Sequence, residues 1–167
     1  LPCELERIFN VDNYLKLMAF DILTANWDGA IYNKNNFYLY KNEATGQFEY
    51  IPYDLDNTFG IDWFNVNWAT RNIYTWRPSN EARPIYEKIL AVQEYRDRFS
   101  YYMNQFLTGF FGQEVLFPYI DNIRSMIAPS AQADPYRPLD YGFTFNDFLT
   151  AYDAAAPAFH TPVGLKP

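Results

Sequence analysis

Apolar side chains recur at helical spacing across residues 13–25: Tyr14, Leu15, Met18, Ile22 and Ala25 share one face, and Leu17, Phe20 and Leu23 carry apolar surface around most of the rest. That pattern predicts a centrally buried helix with Asp12 as its N-cap. The period then changes from helical to β-like. Residues 36–41 and 47–53 read as two strands joined by the turn-rich stretch "NEATG", so a hairpin is expected, with Pro52 near a strand end or at an edge.

From residue 54 to about residue 80 no period is sustained, and Asn, Gly and Trp dominate; an irregular segment of that length inside a domain is usually functional. Trp63, Trp68 and Trp76 lie in it. Pro84 then takes a first helical position, and "PIYEKILAV", "QEYRDRFSYYMNQFLTGFF" and "QEVLFPYIDNIRSMIA" follow as helices punctuated by Gly112 and Pro129. The mixed charges of "QEYRDRF" suit a solvated helix face with local ion pairs. A last short helix is expected from Asn146 or Asp147, ending before Pro157. The fold class predicted is α+β, mostly α, with one β-hairpin and a C-terminal helical layer, in a single domain over residues 1–167.

Composition narrows the function. A chain of 167 residues is the size of one domain, and its 20% aromatic content fits either an aromatic-rich core or a surface that faces sugars or peptides. A net charge of −7 and a pI near 4.6 exclude a general phosphate-backbone binder, so no nucleic acid partner is expected. The lone Cys3 supports neither an internal disulfide nor a multi-cysteine metal site, and His160, the single histidine, has no evident catalytic partner. No apolar run approaches the ~18 to 20 residues of a membrane-spanning helix. The opening Leu-Pro and the closing "TPVGLKP" read as the ends of a piece excised from a longer protein.

The stretch "NWDGAIYNKNNFYLY" carries the candidate chemistry. If the hairpin folds back, the loop before its first strand and the "DLDNTFG" segment after its second strand come together. Asp28, Asn36, Asp54 and Asp56 then share one small volume. Carboxylates gathered with an amide suit a hard cation such as Mg²⁺, which keeps waters and accepts phosphate oxygens, and that points to phosphoryl transfer. The order of parts is that of the kinase catalytic machinery: an Asp to orient the attacking hydroxyl, an Asn and a later Asp to hold metal. Asp28 and Asn33 satisfy the D-x-x-x-x-N spacing, whereas Asn36 stands immediately before the strand, as the kinase asparagine does; Asn36 is preferred and Asn33 is the alternative. Plainer readings stand beside these. Asp28-Gly29 is a common turn pair, and the asparagines are common turn formers. A calcium loop starting at Asp54 fails because Phe59 stands where glycine is required and Asn65 where glutamate is required. A glycosidase using Asp28 with Asp54 or Asp56 is a further alternative.

"VDNYLKLMAFDILTANWDG", "NNFYLYKNEATGQFEYIPYDLDNTFG" and "RPIYEKILAVQEYRDRF" together resemble the spore-coat protein H (CotH) kinase family of atypical secreted protein kinases. The resemblance implies a protein-kinase-like C-lobe. It implies Asp28 as the catalytic aspartate, Asn33 or Asn36 at the cofactor, Asn36 and Asp54 as metal ligands, and Asp56 as a second acidic group near the metal. The implied cofactors are ATP and Mg²⁺ or Mn²⁺, the implied partner is a protein with a Ser/Thr hydroxyl, and the implied location is extracellular or at the cell surface. The N-lobe parts of such kinases, a glycine-rich phosphate cover and a strand lysine, have no match upstream of Asp12. The reading from another class is a non-catalytic extracellular module that binds carbohydrate or peptide through exposed tryptophans.

Overall fold

Residues 2–139 and 142–151 are described by a computed structural model of the chain. Helices α1 (Pro2–Ile8) and α2 (Val11–Leu23) precede strands β1 (Phe37–Lys41) and β2 (Phe48–Pro52); α3 (Pro84–Leu90), α4 (Gln93–Thr108), α5 (Gln113–Ala133) and α6 (Phe145–Thr150) follow, with short 3-10 turns at Trp68–Thr70 and Arg137–Leu139. The fold is α+β and mostly α, as the periodicity predicts. The described residues form two compact units, one of residues 2–58 with 68–105 and one of residues 59–67 with 106–139 and 142–151.

The first unit is built around α2. Val11, Tyr14, Leu15, Met18, Ala19 and Ile22 are all buried, matching the apolar face expected from the sequence. The cap differs from expectation. Asn10, not Asp12, accepts the Asn13 backbone N–H, at 3.1 Å. Asn10 also donates its backbone N–H to the Phe48 carbonyl at 3.0 Å and its side-chain amide to Glu49 at 2.8 Å. Tertiary bonds to the hairpin thus fix the helix start, and Asp12 falls in the first turn, paired with Lys16 at 2.7 Å.

The hairpin is antiparallel, with Phe37 opposite Pro52, Leu39 opposite Tyr50 and Lys41 opposite Phe48. Pro52 ends its strand, where the missing N–H breaks no ladder. Gly46 takes φ +73° in the connecting turn, a conformation favoured by glycine. Tyr50 is buried between Tyr14, edge-on at 5.2 Å, and Phe37, stacked at 5.6 Å. Tyr38 and Tyr40 point to solvent. Helix α1 lies outside the periodic segments of the sequence: it has no buried residues, so it lacks the apolar stripe that announces a helix.

In the second unit α5 continues through Pro118 and Pro129 rather than stopping at Pro129. Each ring removes one N–H from the helical ladder without breaking the assigned helix. Thr144 and Asp147 form a reciprocal capping box at the start of α6, one or two residues before the expected point. The expected end of that helix and His160 lie outside the described residues. Among the described residues, no helix is long and apolar enough to cross a membrane.

Leu15 is fully buried, whereas Leu107 is 52% exposed. Leu15→Ala is therefore expected to lower unfolding stability by about 3 kcal/mol and Leu107→Ala by less than about 0.5 kcal/mol, read from denaturant midpoints at constant slope.

Candidate active site

The loop that carries Asp28 begins where α2 is stopped. Thr24 turns its hydroxyl back to the Phe20 carbonyl at 3.0 Å, and Ala25 adopts φ +57°, a left-handed residue that reverses the chain. Asn26 then donates its backbone N–H to the Asp21 carbonyl at 2.7 Å and its side-chain amide to the Asp21 carboxylate at 3.0 Å. Tyr50 approaches the other Asp21 oxygen at 3.5 Å. Asp21 is only 2% exposed, so it is not a surface carboxylate, and its local pairing is what holds the loop. Burial pushes its pKa up to about 6, against the opposing pull of the Asn26 and Tyr50 hydrogen bonds.

Gly29 has a packing role beyond that of a turn former. A Cβ there would lie 3.2 Å from the Asn26 amide nitrogen and 3.3 Å from an Asp21 oxygen. On the other side of Asp28, Trp27 is buried and stacks on Trp68 at 6.3 Å. Trp68 in turn meets Tyr32 edge-on at 4.8 Å and Trp76 at 5.7 Å. Asp28 thus stands half-exposed between two buried neighbours.

Its carboxylate is a hub for amides. Oδ1 accepts from Asn33 at 2.5 Å, and Oδ2 accepts from Asn36 at 3.0 Å and from Asn57 at 3.3 Å. Asn36, itself buried, extends the same amide nitrogen to the Asp54 carbonyl at 3.5 Å, while its own carbonyl accepts the Tyr53 N–H at 3.0 Å. Asn57 also donates to Asp56 at 3.0 Å. One hydrogen-bonded network therefore joins Asp28, Asn33, Asn36, Asp54 and Asp56, the last through Asn57 and Asp54 through its backbone. Of the two candidate asparagines, both contact Asp28, but Asn36 is the one whose amide also reaches Asp54.

Asn57 was not singled out from the sequence. Its signal was its place directly after Asp56 in "DLDN", where it reads as one more turn residue. Asn36 and Asp54 both adopt left-handed backbone conformations, with φ +55° and +53°. Such residues are uncommon outside glycine and concentrate where geometry is imposed by function.

Among the described residues, no group of three Asp, Glu, His or Cys side chains comes together that could hold a metal by itself. The oxygen donors here are mixed. With its nitrogen turned to Asp28, Asn36 keeps its side-chain oxygen as an acceptor, and the exposed Asp54 carboxylate has no hydrogen bond or ion pair among the described residues. Oxygen donors of this kind are the ones a hard divalent cation takes, with water completing its shell.

The tryptophans do not form an exposed set. Trp68 and Trp76 are 3% and 2% exposed, and Trp63 is on the surface. A binding module that displays all three is ruled out by this burial, and stacking inside the aromatic cluster is the physical reason. Cys3 is an exposed free thiol.

The family model described as CotH kinase protein matches residues 2–158. The chain is 29% identical over 137 residues to the inner spore coat protein H of Bacillus subtilis (strain 168), a match that covers 82% of this chain and 36% of that protein. It is also 29% identical over 58 residues to the invasin CotH3 of Rhizopus delemar, covering 34% of this chain and 10% of that protein. The chain thus spans about a third of the length of the first relative and a tenth of the second.

The Asp21 node generates a pH dependence of defined sign. Its folded pKa of about 6 lies above the ordinary 3.8, so folded and unfolded chains are both protonated only well below pH 3.8, and stability falls as pH rises through the interval up to about 6. The loss is on the order of 3 kcal/mol and then levels off. Asp21→Asn removes that slope. Groups such as Asp12, whose pKa is lowered by its bonds to Lys16 and Tyr102, add the opposite slope to both proteins. The difference in unfolding free energy between wild type and Asp21→Asn, measured at pH 4 and pH 7, is the readout, and an unchanged difference would refute the assignment.

Proposed function

We propose, for a chain that belongs to the CotH kinase protein family, that the protein is an ATP- and metal-dependent phosphotransferase acting on Ser/Thr hydroxyls of proteins. The observation that carries this reading is Asn36, whose amide touches both the Asp28 carboxylate, at 3.0 Å, and the Asp54 carbonyl, at 3.5 Å. That bridge couples the residue suited to orient an acceptor hydroxyl to the residue suited to hold a cation.

In this reading the Asp28 carboxylate accepts a hydrogen bond from the incoming hydroxyl and fixes its line of approach. Asn33, Asn36 and Asn57 hold the carboxylate in one orientation, so little reorganisation is needed when the acceptor arrives. The Asn36 oxygen and the Asp54 carboxylate would hold Mg²⁺ or Mn²⁺, with Asp56 adding negative charge beside them. When bound, the ion neutralises phosphate charge. The chain's own contribution is positioning and electrostatic complementarity. A kinase-like C-lobe is the architecture this reading assigns to the chain. The names of the two relatives, a spore coat protein and an invasin, support a coat or cell-surface location.

The full-length protein is expected to bind ATP only in the presence of Mg²⁺ or Mn²⁺ and to transfer the γ-phosphate to a protein hydroxyl. Asp54→Asn should weaken metal-dependent nucleotide binding in calorimetry. Asp28→Asn should leave that binding nearly unchanged while lowering turnover on the order of a hundredfold or more. Absence of metal-dependent nucleotide binding by the wild-type protein would overturn the proposal in favour of a non-catalytic module that binds peptide or carbohydrate.

A further inference from the structure

A second concave site lies in the first unit. A cavity of about 680 Å³ is framed by Arg71, Arg77 and Arg96, with Tyr74, Tyr86 and Glu87 among its walls. None of the residues Asp28, Asn33, Asn36, Asp54 or Asp56 lines it. In a protein of net charge −7, three guanidinium groups around one cavity are a local inversion of sign.

The charges in it are unevenly matched. Arg77 pairs with Glu87 at 2.7 Å and donates to the Pro78 carbonyl at 2.7 Å. Arg71 has no carboxylate partner among the described residues. It is clamped over the rings of Tyr32, Trp68 and Trp76 at 5.1, 5.5 and 5.7 Å, and it donates to the Trp76 and Arg77 carbonyls at 2.7 and 3.0 Å. Arg96 also lacks an ion pair among the described residues and lies 3.8 Å over the Tyr74 ring. Carbonyls and rings orient a guanidinium, but they do not cancel its charge. Glu87 offsets one of the three, which leaves two positive charges held in place on aromatic supports.

We infer that this cavity is a binding site for a phosphate monoester carried on a peptide side chain. A phosphoryl group brings nearly two negative charges at neutral pH and several acceptor oxygens, which matches two uncancelled guanidiniums better than a single carboxylate does. The volume exceeds what a phosphate needs, leaving room for the side chain that bears it and for its neighbours. The exposed Ser79 and Asn80 on the rim supply polar contacts to an extended backbone. The charge of the arginines is also felt inside the wall: the Tyr86 hydroxyl is pushed up to about 12 by burial, while its Trp76 backbone bond and then Arg77, Arg71 and Arg96 pull it down. The site is independent of phosphotransfer by the Asp28 network.

The test is calorimetric titration of the full-length protein without nucleotide or metal, so that its outcome is separable from that of any kinase assay. Four probes are compared: a phosphoserine peptide, its serine twin, its glutamate twin and inorganic phosphate. The phosphopeptide is expected to bind at least about tenfold tighter than either twin and tighter than inorganic phosphate, with the preference weakening as salt rises. Arg96→Gln should abolish the preference and Arg7→Gln, at an exposed position paired with Glu4, should preserve it. Equal binding of the three peptides overturns the inference and requires no variant. So does a preference that survives in a folded Arg96→Gln protein. Inorganic phosphate binding as tightly as the phosphopeptide overturns the peptide assignment and marks a free-anion site.

Discussion

The register of the hairpin is the constraint on which the candidate site depends. Pairing of Phe37 with Pro52 leaves Asn36 and Tyr53 as the next opposed residues, and the Tyr53 N–H reaches the Asn36 carbonyl at 3.0 Å. Asp54 must then emerge beside Asn36. Side chains alternate along a strand, so a slip of one residue would turn Tyr50 out of its place between Tyr14 and Phe37 and separate Asn36 from Asp54. The same apolar burial that stabilises the hairpin therefore fixes the polar geometry at its mouth. Left-handed backbone at Asn36 and Asp54 completes this arrangement, turning the chain sharply as it enters the first strand and leaves the second.

Asp28 reaches that mouth on a different support. Beneath it lie Asp21, Asn26 and Trp27, each nearly inaccessible to solvent. A buried carboxylate is costly unless hydrogen-bonded, and Asp21 spends its acceptors on Asn26 and Tyr50, residues of the loop and of the hairpin. This ties helix, loop and sheet at one point. Arg83, also buried, fastens the far side of the loop by donating to the Tyr32 carbonyl, with Glu81 at 3.1 Å balancing its charge. The half-exposed carboxylate is thus carried on a foundation that has little freedom to shift.

How much of this is legible in the sequence depends on the range of the interactions involved. The positions of α2 and the hairpin follow from periodicity, because burial on one face imposes it locally. Asp28, Asn36, Asp54 and Asp56 can be gathered on paper because a hairpin must bring its two ends together, and Asn33 enters through its spacing from Asp28. The helix cap could not be read so directly. Asn10 and Asp12 are both good cap residues by type, and the choice is made by bonds from Asn10 to Phe48 and Glu49, far along the chain. Asp21 is similar: it interrupts an apolar helix, and its partners Asn26 and Tyr50 are supplied by the loop and the hairpin rather than by the helix's own period. The burial of Trp68 and Trp76 depends on Trp27 and on the arginine clamped against them, which no local period encodes.

Charge matching is uneven across the first unit. Arg7, Lys16, Lys34, Lys41, Arg77, Arg83 and Arg98 each have a carboxylate within ion-pair distance. Against that background, Asp28, Asp54 and Asp56 have no cationic partner among the described residues, and neither do Arg71 and Arg96. Exposed charges left unmatched singly carry little meaning, since surface ion pairs contribute little to stability. Asp28, Arg71 and Arg96 are different, because each is held in place: the carboxylate of Asp28 by amides, the guanidinium groups by rings and carbonyls. An ordered charge without a protein counter-charge maintains a field that only solvent or a ligand can satisfy. The field is negative at Asp28 and positive at Arg71 and Arg96, in a unit whose other basic groups mostly pair with neighbouring carboxylates among the described residues.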